Sequence, residues 1–177
     1  MRIAICPGSF DPVTIGHMDI ISRTCRTFDK VIVAVSVNPE KKFSFSMEER
    51  VSFLKIASAE MGLTVEIDSV SGLLADYAEE KKASIIVKGL RAMTDFEYEF
   101  QMALTNKKLN PELETVFFAT SAENMFLSSS MVKQVAGFGG DISHFVPECI
   151  LDRIVDRLSN KKLITEAVTD NNGGIKP

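Results

Sequence analysis

Short runs of apolar and β-branched residues, each followed by a stretch with helical spacing, recur five times along this chain. Arg2–Cys6 (RIAIC) reads as the first strand, ended by Pro7-Gly8, and Met18–Phe28 comes next with apolar residues at Ile21, Cys25 and Phe28. Lys30–Val37 (KVIVAVSV) is a second strand, stopped by Asn38-Pro39. Ser46-Met-Glu-Glu49 has the form of a capping box and opens a helix to about Met61, closed by Gly62. Leu63–Asp68 predicts a third strand, Leu73–Lys82 a helix and Ser84–Lys88 (SIIVK) a fourth strand. A helix starting at Thr94-Asp95 runs to about Leu109, and Glu114–Ala119 (ETVFFA) is the fifth strand. Helices at Ser129–Val135 and Glu148–Leu158 complete the series.

Strands that alternate with helices belong to an α/β fold, here a doubly wound, Rossmann-like, five-stranded parallel sheet with helices on both faces. Unbroken runs such as Val31–Val35 suit strands buried on both sides. The alternation lacks a break, so residues 1–159 form a single expected domain. The segment 160–177, with its turn-prone Asp170–Gly174 run (DNNGG), is an expected mobile tail.

A parallel sheet of this kind binds ligands beyond the carboxyl ends of its strands. The chain puts its anion-binding groups at those positions. Gly8, Ser9 and His17 follow strand one; Lys41 and Lys42 follow strand two; Lys88, Gly89, Leu90 and Arg91 end strand four; Ser128, Ser129 and Ser130 follow strand five. The formal net charge is −4, so this basic, hydroxyl-rich rim would be local, and its natural ligand is a polyphosphate. The same charge argues against a nucleic-acid surface. His17 follows Gly16 at a helix start, where the helix field disfavours an added proton. His17 is therefore expected to act as a neutral N–H donor.

Neither G-x-x-x-x-G-K-[ST] nor a G-x-G-x-x-G after strand one occurs, which argues against P-loop kinases and dinucleotide-dependent dehydrogenases. Three cysteines, Cys6, Cys25 and Cys149, fit neither a disulfide framework nor a zinc site and read as small buried hydrophobes. No run approaches the ~20 apolar residues of a membrane span, and the start of the chain is too short in apolar residues for a signal peptide. A cytoplasmic location is the expectation.

Thr14-Ile15-Gly16-His17 and Leu127-Ser128-Ser129-Ser130-Met131-Val132-Lys133 resemble the T/H-x-G-H and I-S-S-S-x-x-R motifs of a nucleotidylyltransferase superfamily. Pro7–Pro12, Pro39–Lys42, Lys88–Ala92, Asp95–Glu99 and His144–Pro147 are similar, in order and spacing, to the bacterial phosphopantetheine adenylyltransferase family. The resemblance covers the chain to about Leu158. It implies adenylyl transfer from ATP to 4′-phosphopantetheine, giving dephospho-coenzyme A and pyrophosphate. Mg²⁺ would enter through substrate phosphates, without a protein metal ligand. It implies a homohexamer; the charge and the lack of a basic aromatic stripe argue against a nucleic-acid partner, and the lack of a long apolar run against a membrane partner.

Carried over position by position, the resemblance makes His17, Lys41 and Arg91 the catalytic set. Ser9 would contact both substrates; Lys41, Leu74, Lys88 and Asn106 would bind the acceptor. ATP would be held by Phe10, His17, Gly89, Leu90, Arg91, Glu99, Asn124, Met125, Phe126, Leu127, Ser128, Ser129 and Ser130. Lys88 stands where that family usually has arginine, and so keeps the charge without the bidentate fork. Lys133 likewise replaces the superfamily's arginine.

Other readings give several of these residues plainer roles. His144 reads as a packing or capping residue, Lys42 as solvated, and Phe43, Phe45, Phe53, Phe96 and Phe100 as core or contact residues. Arg91 could instead pair with Asp95 or Glu99. Asp11 and Asp19 could in principle hold Mg²⁺, although that ion commonly binds through substrate phosphates. The rival functions are a sister transferase with another acceptor and a nucleotide-binding protein without catalysis.

Overall fold

A computed structural model describes residues 1–37, 42–91 and 93–159. The strands are β1 (Ile3–Gly8), β2 (Lys30–Ser36), β3 (Glu66–Val70), β4 (Ile85–Leu90) and β5 (Glu114–Ala119). All pair in parallel, in the order β3-β2-β1-β4-β5. The helices are α1 (Ile15–Thr27), α2 (Met47–Glu60), α3 (Leu74–Glu80), α4 (Met93–Leu109), α5 (Ser129–Gly137) and α6 (151–159). This is the doubly wound α/β sheet expected from the alternation of strands and helices. Among the described residues, no helix is long and apolar enough to cross a membrane.

The period of two along each strand divides the core between two faces. Ala4, Cys6, Val31, Val33, Val35 and Val87 meet α1, α2, α5 and α6. Ile5, Ile32, Ala34 and Ile86 point the other way, where α3 contributes Ala75, Tyr77 and Ala78. On that second face, Phe96 of α4 lies edge-on to Phe117 of β5, with ring centroids 6.0 Å apart.

Several element boundaries differ from the expectation, for local reasons. Pro7 and Gly8 lie inside β1 and do not end it, because that stretch pairs with β2 as far as Gly8↔Val35. Strand β3 starts at Glu66 because Leu63 belongs to the end of α2. Gly62, at φ 64°, donates its N–H to the Ala59 carbonyl, and Leu63 donates to that of Ser58 at 2.9 Å. That is a Schellman ending. Helix α1 begins three residues earlier than Met18, because Thr14 caps it. The stretch expected as one last helix is a 3-10 turn (Glu148–Ile150) leading into α6. Of the cysteines, Cys6 is buried, whereas Cys25 and Cys149 are only partly so. The expected tail, 160–177, and the strand stop at Asn38-Pro39 lie outside the described residues.

The order of the sheet reverses between β1 and β4, and there the ladder is short. These strands pair only at Ala4↔Ile85 and Ile5↔Ile86, while β4 continues beside β5 to Leu90↔Ala119. Pro7 has no N–H to offer a ladder, and pairing with β4 stops two residues before it. The crevice of a doubly wound sheet lies at such a switch point. Helix α1 closes one side of it: a Cβ on Gly89 would stand 2.9 Å from Ile20 Cγ1.

Gly89→Ala should therefore cost about 1–3 kcal/mol in urea unfolding through overpacking against Ile20. In the Gly89→Ala/Ile20→Ala double variant that penalty should shrink by at least about 1 kcal/mol relative to the sum of the single changes. Simple additivity would disprove the contact.

Candidate functional site

The Ser9–Thr14 loop joins β1 to α1, and with its flanking residues it makes up the Pro7–His17 stretch. Gly8 leaves room for the Phe10 ring, which folds back so closely that a Cβ on Gly8 would meet it at 2.9 Å. Phe10 itself sits at φ 49°, a backbone region that is unfavourable for a bulky side chain. Its buried ring stands edge-on to the His17 imidazole, with centroids 5.2 Å apart. Next to it, the Asp11 carboxylate accepts the N–H groups of Ser44 and Phe45 at 3.0 and 2.9 Å and pairs with Lys133 Nζ at 2.8 Å. Asp11 is thus a structural latch between three segments. Lys133 of α5 is committed to it, which accounts for a lysine whose phosphate role the motif left open.

His17 is the third residue of α1 and completes a capping box. The Thr14 backbone N–H donates to Nδ1 at 3.0 Å, and the Thr14 hydroxyl lies 3.0 Å from the same nitrogen. The His17 N–H donates in turn to Thr14 Oγ1 at 3.3 Å. A backbone N–H can only donate, so Nδ1 must keep its lone pair. The neutral ring then carries its proton on Nε2. Burial of the ring, and secondarily the charge of Arg91, hold the His17 pKa down to about 4. A proton on this ring is disfavoured by burial and by Arg91, causes other than the helix field from which the sequence argues.

Two other segments converge on this loop. Ser128 caps α5 by accepting the Met131 N–H at 3.1 Å, and Ser129 Oγ donates to the Pro12 carbonyl at 2.7 Å. The starts of α1 and α5 are therefore tied together, giving two helix N-termini beside one loop. Ser130, one residue further on, is exposed. Arg91, just past β4, donates to the Leu127 carbonyl at 3.0 Å. Leu127 is buried, and Asn124 is tied by its side-chain N–H to Ser121 Oγ at 2.9 Å. Gly16 lies close to both of them. Met125 and Phe126 are exposed beside them, with Phe126 edge-on to Phe145.

Lys88 and Glu99 form an ion pair at 3.1 Å between β4 and α4, so Glu99 meets Lys88. Leu74 opens α3 and packs on the second core face. Asn106 is buried 13 residues into α4, about 20 Å from the start of that helix. Among the described residues, no hydrogen bond or ion pair joins Asn106 to the His17 cluster. Lys41 lies outside the described residues. Lys42 is exposed, as is His144; it is the carbonyl of Phe145 that accepts the first N–H of α1, from Ile15. Phe45 and Phe53 are buried against each other, and Phe96 stacks on Phe100.

Sequence reasoning passed over Arg50 and the roles of Thr14 and of the Asp11–Lys133 pair. Thr14 stands three residues before His17, which is capping-box spacing. Arg50 is in register with Phe53, Leu54 and Ala57 on the buried stripe of α2, which is an unusual place for a charge.

Two helix starts, a neutral imidazole and an arginine thus meet at the switch point of the sheet, an arrangement suited to an anionic ligand. The family model described as cytidylyltransferase-like matches residues 5–135. Among curated proteins, the phosphopantetheine adenylyltransferase of Caldanaerobacter subterraneus subsp. tengcongensis is 54% identical over 157 residues, covering 89% of this chain and 98% of that protein. That of Clostridium tetani is 54% identical over 161 residues, covering 91% and 100%. The chain belongs to the phosphopantetheine adenylyltransferase family, within the cytidylyltransferase-like proteins. In fold alone it matches the nicotinic acid mononucleotide adenylyltransferase of Plasmodium falciparum, with a TM-score of 0.64 at 14% identity over 92% of this chain and 96% of that one.

Two measurements test the geometry. His17 should half-protonate near pH 4 in an NMR titration. In the unfolded chain it titrates at about 6.5. Between these values the unfolded state binds a proton that the folded state refuses, so this histidine's contribution to stability falls as pH drops from about 6.5 to about 4. The urea midpoint of the wild type should accordingly depend more steeply on pH in that window than that of His17→Asn, and equal slopes would refute the assignment. Asp11→Ala should cost about 1–3 kcal/mol in urea unfolding, because it removes the acceptor of the buried Phe45 N–H, the half-buried Ser44 N–H and the Lys133 ammonium. A loss below about 1 kcal/mol would mean that the carboxylate does not hold the loop.

Proposed function

We infer that this chain transfers the adenylyl group of ATP to 4′-phosphopantetheine, giving dephospho-coenzyme A and pyrophosphate. The observation that carries the chemistry is the Nδ1 of His17, occupied by Thr14, which leaves Nε2–H as a donor beside Arg91. Support for the acceptor comes from relatives bearing that name and matching nearly end to end. The acceptor is a phosphate monoester and already an anion, so its oxygen can attack the α-phosphorus of ATP without a general base. The bond to pyrophosphate then breaks. The barrier is dominated by repulsion between anions, and the protein lowers it by positioning and by preorganised donors.

In this reading His17 Nε2–H and Arg91 stabilise charge on the reacting phosphorus. The starts of α1 and α5, with Ser9, Ser128, Ser129 and Ser130, hold the polyphosphate. Phe10, Gly89, Leu90, Glu99 and the 124–127 turn complete the ATP site. Lys41, Leu74, Lys88 and Asn106 serve the acceptor. Mg²⁺ would neutralise phosphate charge as the phosphates bring it in. Asp11 is saturated by its three partners and Asp19 is paired with Arg23 at 3.2 Å, so neither carboxylate stands ready as a ligand. Among the described residues, no group of three or more His, Cys, Asp or Glu could hold a metal ion. The enzyme would work in the cytoplasm as a homohexamer; Tyr98 and Met102, one turn apart on α4, expose apolar side chains that could pack against another copy.

With ATP and 4′-phosphopantetheine the protein should release pyrophosphate, and nicotinate mononucleotide should not substitute as acceptor. His17→Ala should lose on the order of 10²–10³ in kcat with the fold intact. Turnover like that of the wild type in this variant would remove His17 from the mechanism.

A further inference from the structure

Arg50 belongs to no motif in the chain, yet it is only 2% exposed. Its Nη1 donates to two main-chain carbonyls, Ser9 at 2.7 Å and Ser36 at 3.1 Å. Its guanidinium lies over the Phe43 ring, 4.1 Å from the centroid. Nη2 reaches the Met47 sulfur at 3.8 Å, and Nε is buried without a hydrogen-bond partner among the described residues. Asp11 and Glu48 act on it through space, but neither forms an ion pair with it among the described residues. A buried cation satisfied mainly by carbonyls is costly, and an apolar side chain would serve the core better.

The two carbonyls explain its presence. Ser9 is the first residue past β1, and Ser36 is the last of β2. One nitrogen therefore ties the exits of two adjacent strands at the edge where ligands bind. The Ser9 peptide leads directly into Phe10, whose strained backbone sets its ring against His17. Ser36 leads into the connection that carries Lys41.

We propose that Arg50 is a positioning residue for adenylyl transfer: through the Ser9 peptide and the Phe10 ring it fixes the bearing of His17, without touching substrate. The proposal rests on the reading of His17 as the transition-state donor. Its signature differs from that of a residue needed only for folding. Loss of alignment lowers kcat while leaving ground-state binding nearly intact.

The test compares Arg50→Met and Arg50→Lys with wild type and His17→Ala. The readouts are thermal midpoint, kcat, the KM for each substrate and the His17 Hε1 resonance. Arg50→Met should fold, lose about 10–100-fold in kcat, change each KM by less than about threefold, and shift the His17 resonance. Arg50→Lys keeps the charge but not the planar fork, and should fall between Arg50→Met and wild type. A folded Met variant with kcat within about twofold of wild type overturns the proposal, as does a loss confined to KM or an unmoved His17 resonance. If the Met variant fails to fold, the Lys variant decides by the same criteria; failure of both assigns Arg50 to folding alone and overturns the proposal. Full turnover by His17→Ala would instead strike the reading of His17. The two failures are distinguishable because the resonance is read without turnover.

Discussion

The site depends on how briefly β1 pairs with β4. Two residue pairs hold these strands together, and beyond Ile5 and Ile86 each keeps only its outer neighbour. The segments past that point, Pro7–His17 on one side and Lys88–Arg91 on the other, are thereby free of a ladder between them. Each can then take the conformation that a ligand requires. Phe10 at positive φ and the Arg91 contact with Leu127 both lie in that released stretch. A longer ladder would have drawn their main-chain groups into the sheet.

Three sets of bonds restore the order that the parted strands give up. Asp11 fastens the loop to Ser44, Phe45 and Lys133, Ser129 fastens it to α5, and Arg50 fastens its first residue to β2. Each uses a polar or charged group where an apolar residue would cost less. Buried groups of this kind contribute little net stability when paired, but a good deal of geometric definition. The division of labour is clear along the chain: apolar strand residues supply cohesion, and polar groups at the strand exits supply shape.

Much of this was legible in the sequence. Unbroken apolar strands such as KVIVAVS and well-capped helices such as that opened by Ser46 are determined locally, and they form as expected. So does the gathering of Ser9, His17, Arg91 and Ser128–Ser130 at one edge, since parallel topology dictates it. The hidden part is long-range and polar. Asp11 and Lys133 are 122 residues apart, and Arg50 meets carbonyls 41 and 14 residues away. No periodicity records such pairings. The Schellman ending at Gly62 moved the start of β3 because a hydrogen bond, and not hydrophobicity, decides where Leu63 belongs.

The capping box of α1 has an implication for engineering. Its third position holds histidine, whereas the customary partner for a threonine cap there is glutamate or glutamine. A glutamate at 17 would close the same reciprocal bonds and add a favourable charge at the helix start. It would also set an anion at the place where, in the proposed reaction, phosphate comes. Automated stabilisation of this chain by local helix rules would therefore remove the transition-state donor of the reaction proposed above. The helix gives up an easy improvement so that an imidazole can stand, uncharged and fixed in one tautomer, at its first turn.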